Sequence, residues 1–397
     1  VAYFCRKTTL QNVKNYFSSD FKLGILGGGQ LGRMLLAETQ KFDIHTAVLE
    51  SNKNAPCAAI CNEFVVGNLL DFDAVYNFGK KVDLLTIEIE NINLDALDRL
   101  EAEGLKIFPK PKDLRIIQSK AIQKKFYLNH QIPTATFHHF EYFKELKQSY
   151  ENKSITFPFV WKAARFGYDG NGVKVVRNIE DLNRLPNEEC ITEELIPFKN
   201  ELAVIVARNE DGETKTYPVV EMEFHPEANQ VEYVICPARI DSNIAKQARE
   251  VALKVVNDLD FIGLLAVEMF QTKEDEILVN EVAPRPHNSG HYSIEASYTN
   301  QFEQHLRSVL NLPLGSTASK VAGIMVNLVG EEGFSGQVIY QNIEKIIKIE
   351  GVTPHVYGKK ETRPFRKMGH VTIVNSDIDV ARKIAQKVKE TIRVISK

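Results

Sequence analysis

Two glutamates flank a short polar turn in the stretch AVEMFQTKEDEILVNEVA. If that turn is centred on Glu274 and Asp275, Glu268 lies directly opposite Glu281 on adjacent antiparallel strands. Two carboxylates side by side on one sheet face repel each other unless a cation lies between them. Mg²⁺, or Mn²⁺ in its place, suits such oxygen ligands together with substrate phosphates. Because both glutamates are embedded in apolar runs, a metal site is favoured over two solvated surface side chains.

A lysine and a glycine-rich loop form a second candidate site. Lys162 ends an apolar run, and the loop GYDGNGV, from Gly167 to Val173, follows it. A loop of this kind supplies backbone N–H donors to nucleotide phosphates, and a lysine on the adjoining strand supplies a point charge. An ordinary glycine hairpin beside a surface lysine is the alternative.

Two further segments are rich in polar groups. The loop APRPHNSGH is stiffened by two prolines and presents polar side chains, so it is a candidate anion and substrate site. Its polar residues are Arg285, His287, Asn288, Ser289 and His291. The segment YGKKETRPFRKMGH near the C-terminus is interrupted by glycines and a proline, which argues against a simple helical charge stripe. Its basic residues before the final histidine are Lys359, Lys360, Arg363, Arg366 and Lys367.

The stretch LGILGGGQLGRM contains G-x-G-x-x-G at Gly27, Gly29 and Gly32, directly after an apolar run. Strand, glycine turn and helix follow in the order of a dinucleotide-binding fingerprint, and Glu50 ends the next predicted strand, where an NAD site has its ribose-binding acid. A glycine turn is also how many β–α corners are made. The motif alone therefore leaves NAD binding and a plain turn about equally favoured.

The elements that must position these residues follow from the chain pattern. Strand and helix patterns alternate from residue 21 to about residue 115, which predicts a parallel sheet covered by helices. After the proline-containing IFPKPKDL, the chain reads as strands with few helices, and it ends in a helix. At 397 residues the chain is expected to form two or three domains.

Composition excludes several classes of function. The net charge is −3, which gives no bulk affinity for nucleic acid, and no apolar run approaches the roughly 18 residues of a membrane span. The 5 cysteines are scattered, and the C-x₃-C pair Cys57/Cys61 lacks partners for zinc. We therefore expect reduced thiols and a cytoplasmic enzyme. Residues 1–20 do not resemble a secretory signal, and we interpret them as an N-terminal extension or a start-site artefact.

The motifs GGGQLGRML, GYDGNG, NEVAPRPHNSGH and YGKKETRPFRKMGH, in this order, resemble the N5-carboxyaminoimidazole ribonucleotide synthetase family of ATP-grasp enzymes. The resemblance runs from about Lys22 to the C-terminal region. It implies an α/β and α+β architecture in which a Rossmann-like domain that does not use NAD precedes the ATP-grasp domains. The implied divisions are an extension at 1–20, a Rossmann-like pre-ATP-grasp domain at 21–115, a mobile lid at 116–200, a central domain at 201–317 and a small β subdomain at 318–397.

The resemblance also implies site residues. For ATP these are Lys120, Lys162, Gly167, Tyr168, Asp169, Gly170, Asn171, Gly172, Val173, Glu193, Glu194, Leu195, Ile196, Glu201, His225, Asn280 and Glu281. For the ribonucleotide they are Gln30, Tyr168, Asn288, Lys359 and Arg366, and for catalysis Lys162, Arg285, Asp169 and His287. Glu268 and Glu281 would hold the metal. Two departures are evident, because Ala283 stands where many ATP-grasp enzymes have a metal-binding asparagine and His225 falls about one residue late.

The implied reaction carboxylates 5-aminoimidazole ribonucleotide with ATP and bicarbonate through carboxyphosphate, giving ADP and phosphate, by an enzyme that is commonly a dimer. Asp169 and His287 are candidates for proton handling, and the residues leave the general base open. Another ATP-grasp ligase, such as a formate-dependent glycinamide ribonucleotide transformylase, and an NAD-dependent oxidoreductase are the rival interpretations. Since the ATP residues lie far downstream of the glycine turn, we expect Gly28, Gly29 and Gln30 to approach the ribonucleotide, and Glu50 then has no ribose role.

Overall fold

A computed structural model describes residues 15–165, 172–225 and 230–397. Its first unit is a parallel sheet in the order β3-β2-β1-β4-β5, and the apolar strand β1 is central and almost fully buried. The elements are β1 (Lys22–Leu26), α1 (Gln30–Lys41), β2 (His45–Glu50), β3 (Glu63–Val66), α2 (Phe72–Gly79), β4 (Leu84–Ile87), α3 (Leu94–Ala102) and β5 (Lys106–Ile107). The strand order reverses between β1 and β4, and open α/β sheets bind ligands at such a switch point.

A short helical link leads to a small antiparallel sheet in the order β6-β9-β7-β8. Ser119 caps α5 by accepting a hydrogen bond from the Ile122 backbone N–H, so that Lys120 is the first residue of the helix. The elements are α4 (Pro111–Ile117), α5 (Lys120–Asn129), β6 (Phe137–Phe140), α6 (Phe143–Glu151), β7 (Phe159–Ala163), β8 (Val173–Val176), α7 (Ile179–Asn183) and β9 (Cys190–Glu194).

The largest sheet is antiparallel and runs β15-β14-β10-β12-β13-β16-β20-β18, with β11 paired to β10. Helix α8 packs its apolar face on β10, β14 and β15, which forms a large buried core. The elements up to residue 309 are β10 (Phe198–Arg208), β11 (Thr214–Thr216), β12 (Val220–Phe224), β13 (Val231–Cys236), α8 (Ser242–Leu259), β14 (Gly263–Thr272), β15 (Ile277–Ala283), the 3₁₀ turn Asn288–Gly290, α9 (Ser293–Ala296) and α10 (Gln301–Val309).

The C-terminal strands extend this sheet instead of forming a detached layer, because β16 pairs with β13. A second small sheet, β19-β17-β21, completes this region, and α12 covers β16 and β20. The elements are β16 (Ala322–Val329), β17 (Gly336–Gln341), α11 (Ile343–Ile346), β18 (Val352–Val356), β19 (Glu361–Thr362), β20 (Lys367–Asn375), α12 (Ile378–Thr391) and β21 (Arg393–Ser396). The domain boundaries expected above stay predictions.

Contacts between α1 and α10 join the first unit to the large sheet, and apolar residues of both contribute to one core cluster. The buried His305 of α10 forms a hydrogen bond of 2.8 Å between its Nε2 and the Oγ1 of Thr86 on β4. This hydrogen bond joins the parallel sheet to α10, which packs against β14. Across the described ranges, every helix is too short or too polar to cross a membrane.

Candidate active site

Glu268 on β14 and Glu281 on β15 are directly opposite each other, as the sequence predicts. The turn that joins the strands differs from the expectation, because the Thr272 backbone N–H donates to the Glu276 carbonyl at 2.9 Å. That pairing alone would misalign the two glutamates by one residue. Met269 pairs with Val279 and Glu268 pairs with Glu281, so Asn280 is an extra residue in β15. This bulge restores the register of the two glutamates. Such bulges re-aim side chains beside active sites.

Lysines from two other elements meet this pair. Lys120, at the start of α5, forms an ion pair with Glu281. Lys162 on β7 donates to Asn280 Oδ1 at 2.8 Å and lies 2.8 Å from Glu193 Oε2. Four of the segments on which the resemblance places ATP contacts, at residues 120, 162, 193 and 280–281, therefore contribute side chains to one cluster. The backbone N–H of Lys120 donates to the Ala164 carbonyl at 2.8 Å, which ties α5 to the end of β7.

Lys124 is a member of this cluster that the sequence reasoning missed. Its Nζ lies 3.0 Å from Glu193 Oε1 and 2.5 Å from Thr134 Oγ1, and its side chain is only 2% exposed. Burial lowers the pKa of Lys124 to about 8, although Glu193 opposes that shift. Burial also acts to raise the pKa of Glu193, but the ammonium groups of Lys162 and Lys124 outweigh it and lower that pKa. The periodicity of α5, with lysines one helical turn apart, was the available signal.

The acidic residues have strongly different proton affinities. Burial, and then repulsion from Glu281 and Glu201, raises the pKa of Glu268 to about 8. The Lys120 ammonium, against the effect of burial, lowers the pKa of Glu281 to about 2. Burial raises the pKa of Glu201, the predicted ribose-binding acid, to about 7. Unlike environments for neighbouring carboxylates are typical of functional sites.

Arg285 forms a two-point ion pair with Glu90, a residue that the sequence reasoning missed. Its Nε lies 2.6 Å from Glu90 Oε2, and its Nη2 lies 3.2 Å from Glu90 Oε1. Glu90 follows β4, so this pair joins the parallel sheet to the loop after β15. Glu88 and Glu90 alternate directly after a buried strand of a parallel sheet, and polar groups at such strand ends often line a site. That pattern could have identified them.

His287 links the same loop to the pair Glu268 and Glu281. Its Nε2 lies 3.1 Å from Glu268 Oε1, and its Nδ1 lies 2.9 Å from the Ser289 hydroxyl. The Gln301 side chain anchors the loop by accepting from the His287 backbone N–H at 2.8 Å. Asn288 exchanges two side-chain hydrogen bonds of 2.9 Å with Asn327 on β16 and is almost buried. Arg285, His287 and Asn288 are thus held by different neighbours.

The predicted phosphate-binding cations lie in the segment between β18 and β20. Lys359 Nζ donates to the Lys367 carbonyl at 2.7 Å, and Arg366 Nη1 donates to the Glu361 carbonyl at 2.6 Å. A Cβ built on Gly358 would lie 3.4 Å from Nη1 of Arg33, in the first turn of α1. The segment therefore contacts the start of α1.

The glycine turn makes hydrogen bonds within the chain. The backbone N–H groups of Gly29 and Gly32 donate to Oε1 and Oε2 of Glu88 at 2.8 and 2.7 Å. The Gly28 N–H donates to Glu50 Oε2 at 3.1 Å. Helix α1 begins at Gln30, as expected. Carboxylates of the chain thus accept from N–H groups that would hold pyrophosphate in a dinucleotide site.

The remaining predicted ATP residues lie on several different elements. Val173 begins β8 and pairs with Lys162 of β7, and the Gly172 carbonyl accepts from the Ala163 N–H at 2.9 Å. Glu193 and Glu194 end β9, Leu195 and Ile196 follow them, and Glu201 lies on β10. The His225 ring is centred 6.3 Å from the Phe365 ring. Gly167, Tyr168, Asp169, Gly170 and Asn171 lie outside the described residues.

Comparisons with known proteins match three domain models along the chain. Residues 21–118 match the ribonucleotide synthetase preATP-grasp domain, residues 125–302 the ATP-grasp domain, and residues 323–384 the phosphoribosylaminoimidazole carboxylase C-terminal domain.

Curated relatives and a solved structure cover nearly the whole chain. N5-carboxyaminoimidazole ribonucleotide synthase of Bacillus subtilis is 36% identical over 90% of this chain and 92% of its own length. The chloroplastic phosphoribosylaminoimidazole carboxylase of Vigna aconitifolia is 40% identical over 90% of this chain, which spans only 64% of that relative. The structure of N5-carboxyaminoimidazole synthase from Aspergillus clavatus with ADP and 5-aminoimidazole ribonucleotide has 32% identity and a TM-score of 0.85, and the match covers 94% of this chain and 98% of that one. The chain belongs to the N5-carboxyaminoimidazole ribonucleotide synthase family of ATP-grasp enzymes, the ATP-dependent ligases of purine biosynthesis.

Proposed function

We propose that this chain uses ATP and bicarbonate to carboxylate 5-aminoimidazole ribonucleotide on its exocyclic amine, releasing ADP and phosphate. One observation carries the proposal beyond family membership. The opposed Glu268 and Glu281, with Lys120 and Lys162 beside them, adjoin Arg285 and His287 on the loop that follows Glu281. A nucleotide-phosphate site is therefore continuous with a candidate bicarbonate site, as phosphorylation of bicarbonate by ATP requires.

The carboxylate pair fits a divalent cation. Burial and the neighbouring carboxylates raise the pKa of Glu268, and a divalent cation between the two glutamates would favour the ionised form of both. Within the described ranges, no group of three or more His, Cys, Asp or Glu side chains is arranged to hold a metal. Two carboxylates completed by ATP phosphates match the preference of Mg²⁺. When bound, Mg²⁺ neutralises the phosphate charge.

The first step is attack of a bicarbonate oxygen on the γ-phosphorus of ATP, which forms carboxyphosphate and ADP. Lys120 and Lys162 are proposed to neutralise phosphate oxygens and to hold them in line. The planar guanidinium of Arg285 is proposed to bind oxygens of bicarbonate or carboxyphosphate. Glu90 fixes that plane through its two contacts with Arg285.

The second step transfers the carboxyl group to the amine of the ribonucleotide. The amine nitrogen bonds to the carboxyl carbon, phosphate leaves, and the nitrogen loses one proton. His287 and Asp169 are the proposed proton acceptors, and the contact of His287 with Glu268 Oε1 at 3.1 Å orients its ring. Gln30, Tyr168 and Asn288 are proposed to position the ribonucleotide, with Lys359 and Arg366 at its phosphate. Enclosure by the loop 167–172 would protect labile carboxyphosphate from water.

Several finer expectations stay proposals. The roles of Glu193 to Ile196, Glu201 and His225 in nucleotide binding, the homodimer and the cytoplasmic location rest on the sequence and on the family resemblance. Ala283 is beside the metal pair, so an amide ligand from this strand would have to be Asn280, which Lys162 contacts.

A matrix of substrates tests the proposal. ADP release is measured with bicarbonate or formate as the acid, and with 5-aminoimidazole ribonucleotide or glycinamide ribonucleotide as the amine. We expect rapid turnover only with bicarbonate and the aminoimidazole ribonucleotide. Turnover with formate and glycinamide ribonucleotide would instead identify a transformylase.

A further inference from the structure

Glu88 is a carboxylate with no part in the chemistry described above. It follows β4 directly, at the point where the parallel sheet changes direction, and its two oxygens accept from Gly29 and Gly32. These N–H groups stand at the beginning of α1. In dinucleotide-binding proteins with this turn, the same donors point at a phosphate.

The glycines of the turn are required by the carboxylates that pack on it. A Cβ on Gly27 would lie 2.5 Å from Cγ of Glu88, and a Cβ on Gly29 would lie 2.5 Å from its Oε1. Gly27 also has a φ of +100°, a conformation that L side chains rarely adopt. A Cβ on Gly28 would lie 3.0 Å from Cβ of Glu50. The motif therefore makes room for side chains of this chain at the position where a nucleotide would approach.

We infer that Glu88 is a positioning residue that acts as an internal anion. It holds the glycine turn in place, with Gln30 directed toward the ribonucleotide, and it keeps phosphate groups away from the turn. The inference rests on the proposed function, in which this turn faces the ribonucleotide. Its first consequence is geometric. The two carboxylate oxygens accept hydrogen bonds from the backbone N–H groups of Gly29 and Gly32, which lie on either side of Gln30. The direction of the first turn of α1 therefore depends on this carboxylate.

The second consequence is the orientation of the substrate. Glu50 and Glu88 place carboxylate oxygens at the carboxyl ends of β2 and β4, and these already occupy the N–H groups that a phosphate would need. Burial raises the pKa of Glu88, and the hydrogen bonds from the Gly32 and Gly29 N–H groups act against that rise and favour the carboxylate. Positive charge lies in the same helical turn, where Arg33, three residues after Gln30, approaches Gly358 and the basic segment that contains Lys359. The ribonucleotide therefore binds with its phosphate toward this segment and its uncharged part toward Gln30.

The test compares Glu88→Ala and Glu88→Gln with Asp71→Ala as the matched control. Asp71 caps α2 in the same sheet unit by accepting from the Ala74 N–H at 2.7 Å, so its loss also removes a helix cap. We expect Glu88→Ala to raise KM for the ribonucleotide about 10-fold or more, the factor given by the loss of one charge-assisted hydrogen bond. KM for ATP should change less than about 2-fold, a factor worth only about 0.4 kcal/mol.

Glu88→Gln keeps one acceptor oxygen and turns an N–H₂ group toward the other donor, so an intermediate KM is expected. Asp71→Ala should leave both KM values unchanged. A rise in both KM values together in Glu88→Ala, or a ribonucleotide KM equal to that of the control, would overturn the inference because the effect would then be merely structural.

A second measurement does not depend on activity. Hydrogen exchange of at least one of the Gly29 and Gly32 amides should be about 10-fold faster in Glu88→Gln than in the wild-type chain, since the amide that faces the new N–H₂ group loses its acceptor and its protection. Unchanged exchange would refute the anchoring role even if Glu88→Ala failed to fold. If ADP release by the wild-type chain did not respond to the ribonucleotide, the proposed function would be wrong. The hydrogen-exchange result would then be the measurement that decides whether Glu88 holds the turn.

Discussion

Replacement of Glu90 by glutamine tests whether Arg285 must be held in one plane to serve bicarbonate. The carboxylate contacts Arg285 through both oxygens, at 2.6 and 3.2 Å, and the two side chains are 28% and 17% exposed. Burial acts to raise the pKa of Glu90, but the Arg285 guanidinium outweighs it and lowers that pKa, so the pair is ionised at neutral pH. Glutamine preserves the shape, removes the charge and presents an amide N–H₂ to one guanidinium N–H.

The expected magnitude follows from these contacts. At least one hydrogen bond between charged groups is lost, which is worth about 1.5–3 kcal/mol. At about 1.4 kcal/mol for each factor of ten, kcat/KM for bicarbonate should fall by roughly 10- to 150-fold. KM for ATP should stay within about 2-fold, because the nearest phosphate-binding lysines contact Glu193, Asn280 and Glu281 instead.

The assay measures initial rates of ADP formation while bicarbonate is varied at saturating ATP and ribonucleotide. Asp71→Ala again serves as a control for an unrelated loss in the same sheet unit. An unchanged kcat/KM for bicarbonate in Glu90→Gln would refute the reasoning, because Arg285 would then need no fixed orientation. If kcat/KM for ATP fell by the same factor, the substitution would have disrupted the active site as a whole and not only the orientation of Arg285.

Three further outcomes are expected. Lys162→Met should lower kcat/KM for ATP by about 100- to 1,000-fold, the usual loss for a positioned electrostatic donor, and an isothermal titration should show weaker nucleotide binding. Glu281→Gln should raise the Mg²⁺ concentration for half-maximal activity at least about 10-fold, and an unchanged Mg²⁺ dependence would contradict the metal assignment. Burial lowers the pKa of His305 to about 3 from an ordinary 6.5, so the unfolded chain alone takes up its proton below pH 6.5 and stability falls as the pH drops. Urea unfolding between pH 7 and pH 5 should show a loss about 2 kcal/mol smaller in His305→Gln than in the wild type, and an equal loss would refute this linkage.

The glycine motif shows how sequence reasoning reached the correct turn while leaving its ligand undecided. Spacing alone predicts a strand, a glycine turn and a helix, and all of these are present at Lys22–Lys41. What fills the anion position depends on Glu88, which is far away in sequence and reaches Gly29 only because β4 pairs with β1. A local pattern carries no information about that contact.

The opposition of Glu268 and Glu281 was predicted by an argument that was partly wrong. A turn centred on Glu274 and Asp275 would align Glu268 with Glu281 without any irregularity. The real turn is offset by one residue, and the extra residue Asn280 corrects the offset. The error cancelled because the bulge that presents Asn280 to Lys162 also restores the pairing, and alternation of apolar residues does not reveal such a bulge.

Long-range contacts account for the residues that were missed. Glu90 gains its role only from Arg285, and Lys124 only from Glu193, and each pair joins different sheets or helices. The resemblance to a known family supplied most of the other site residues, including Lys120, which no local pattern distinguishes from the other lysines of α5. Buried charge pairs of this kind are set by tertiary packing, so a single sequence does not specify them.

The most direct test of the central claim follows the carboxyl carbon itself. The chain is incubated with ATP, Mg²⁺, ¹³C-labelled bicarbonate and 5-aminoimidazole ribonucleotide, and the products are observed by ¹³C NMR while phosphate release is measured in parallel. We predict a carbamate carbon on the exocyclic amine, formed in proportion to the phosphate released and absent when ATP or the ribonucleotide is omitted. Phosphate release without a labelled carbamate, or at a rate indifferent to the ribonucleotide, would contradict the assignment.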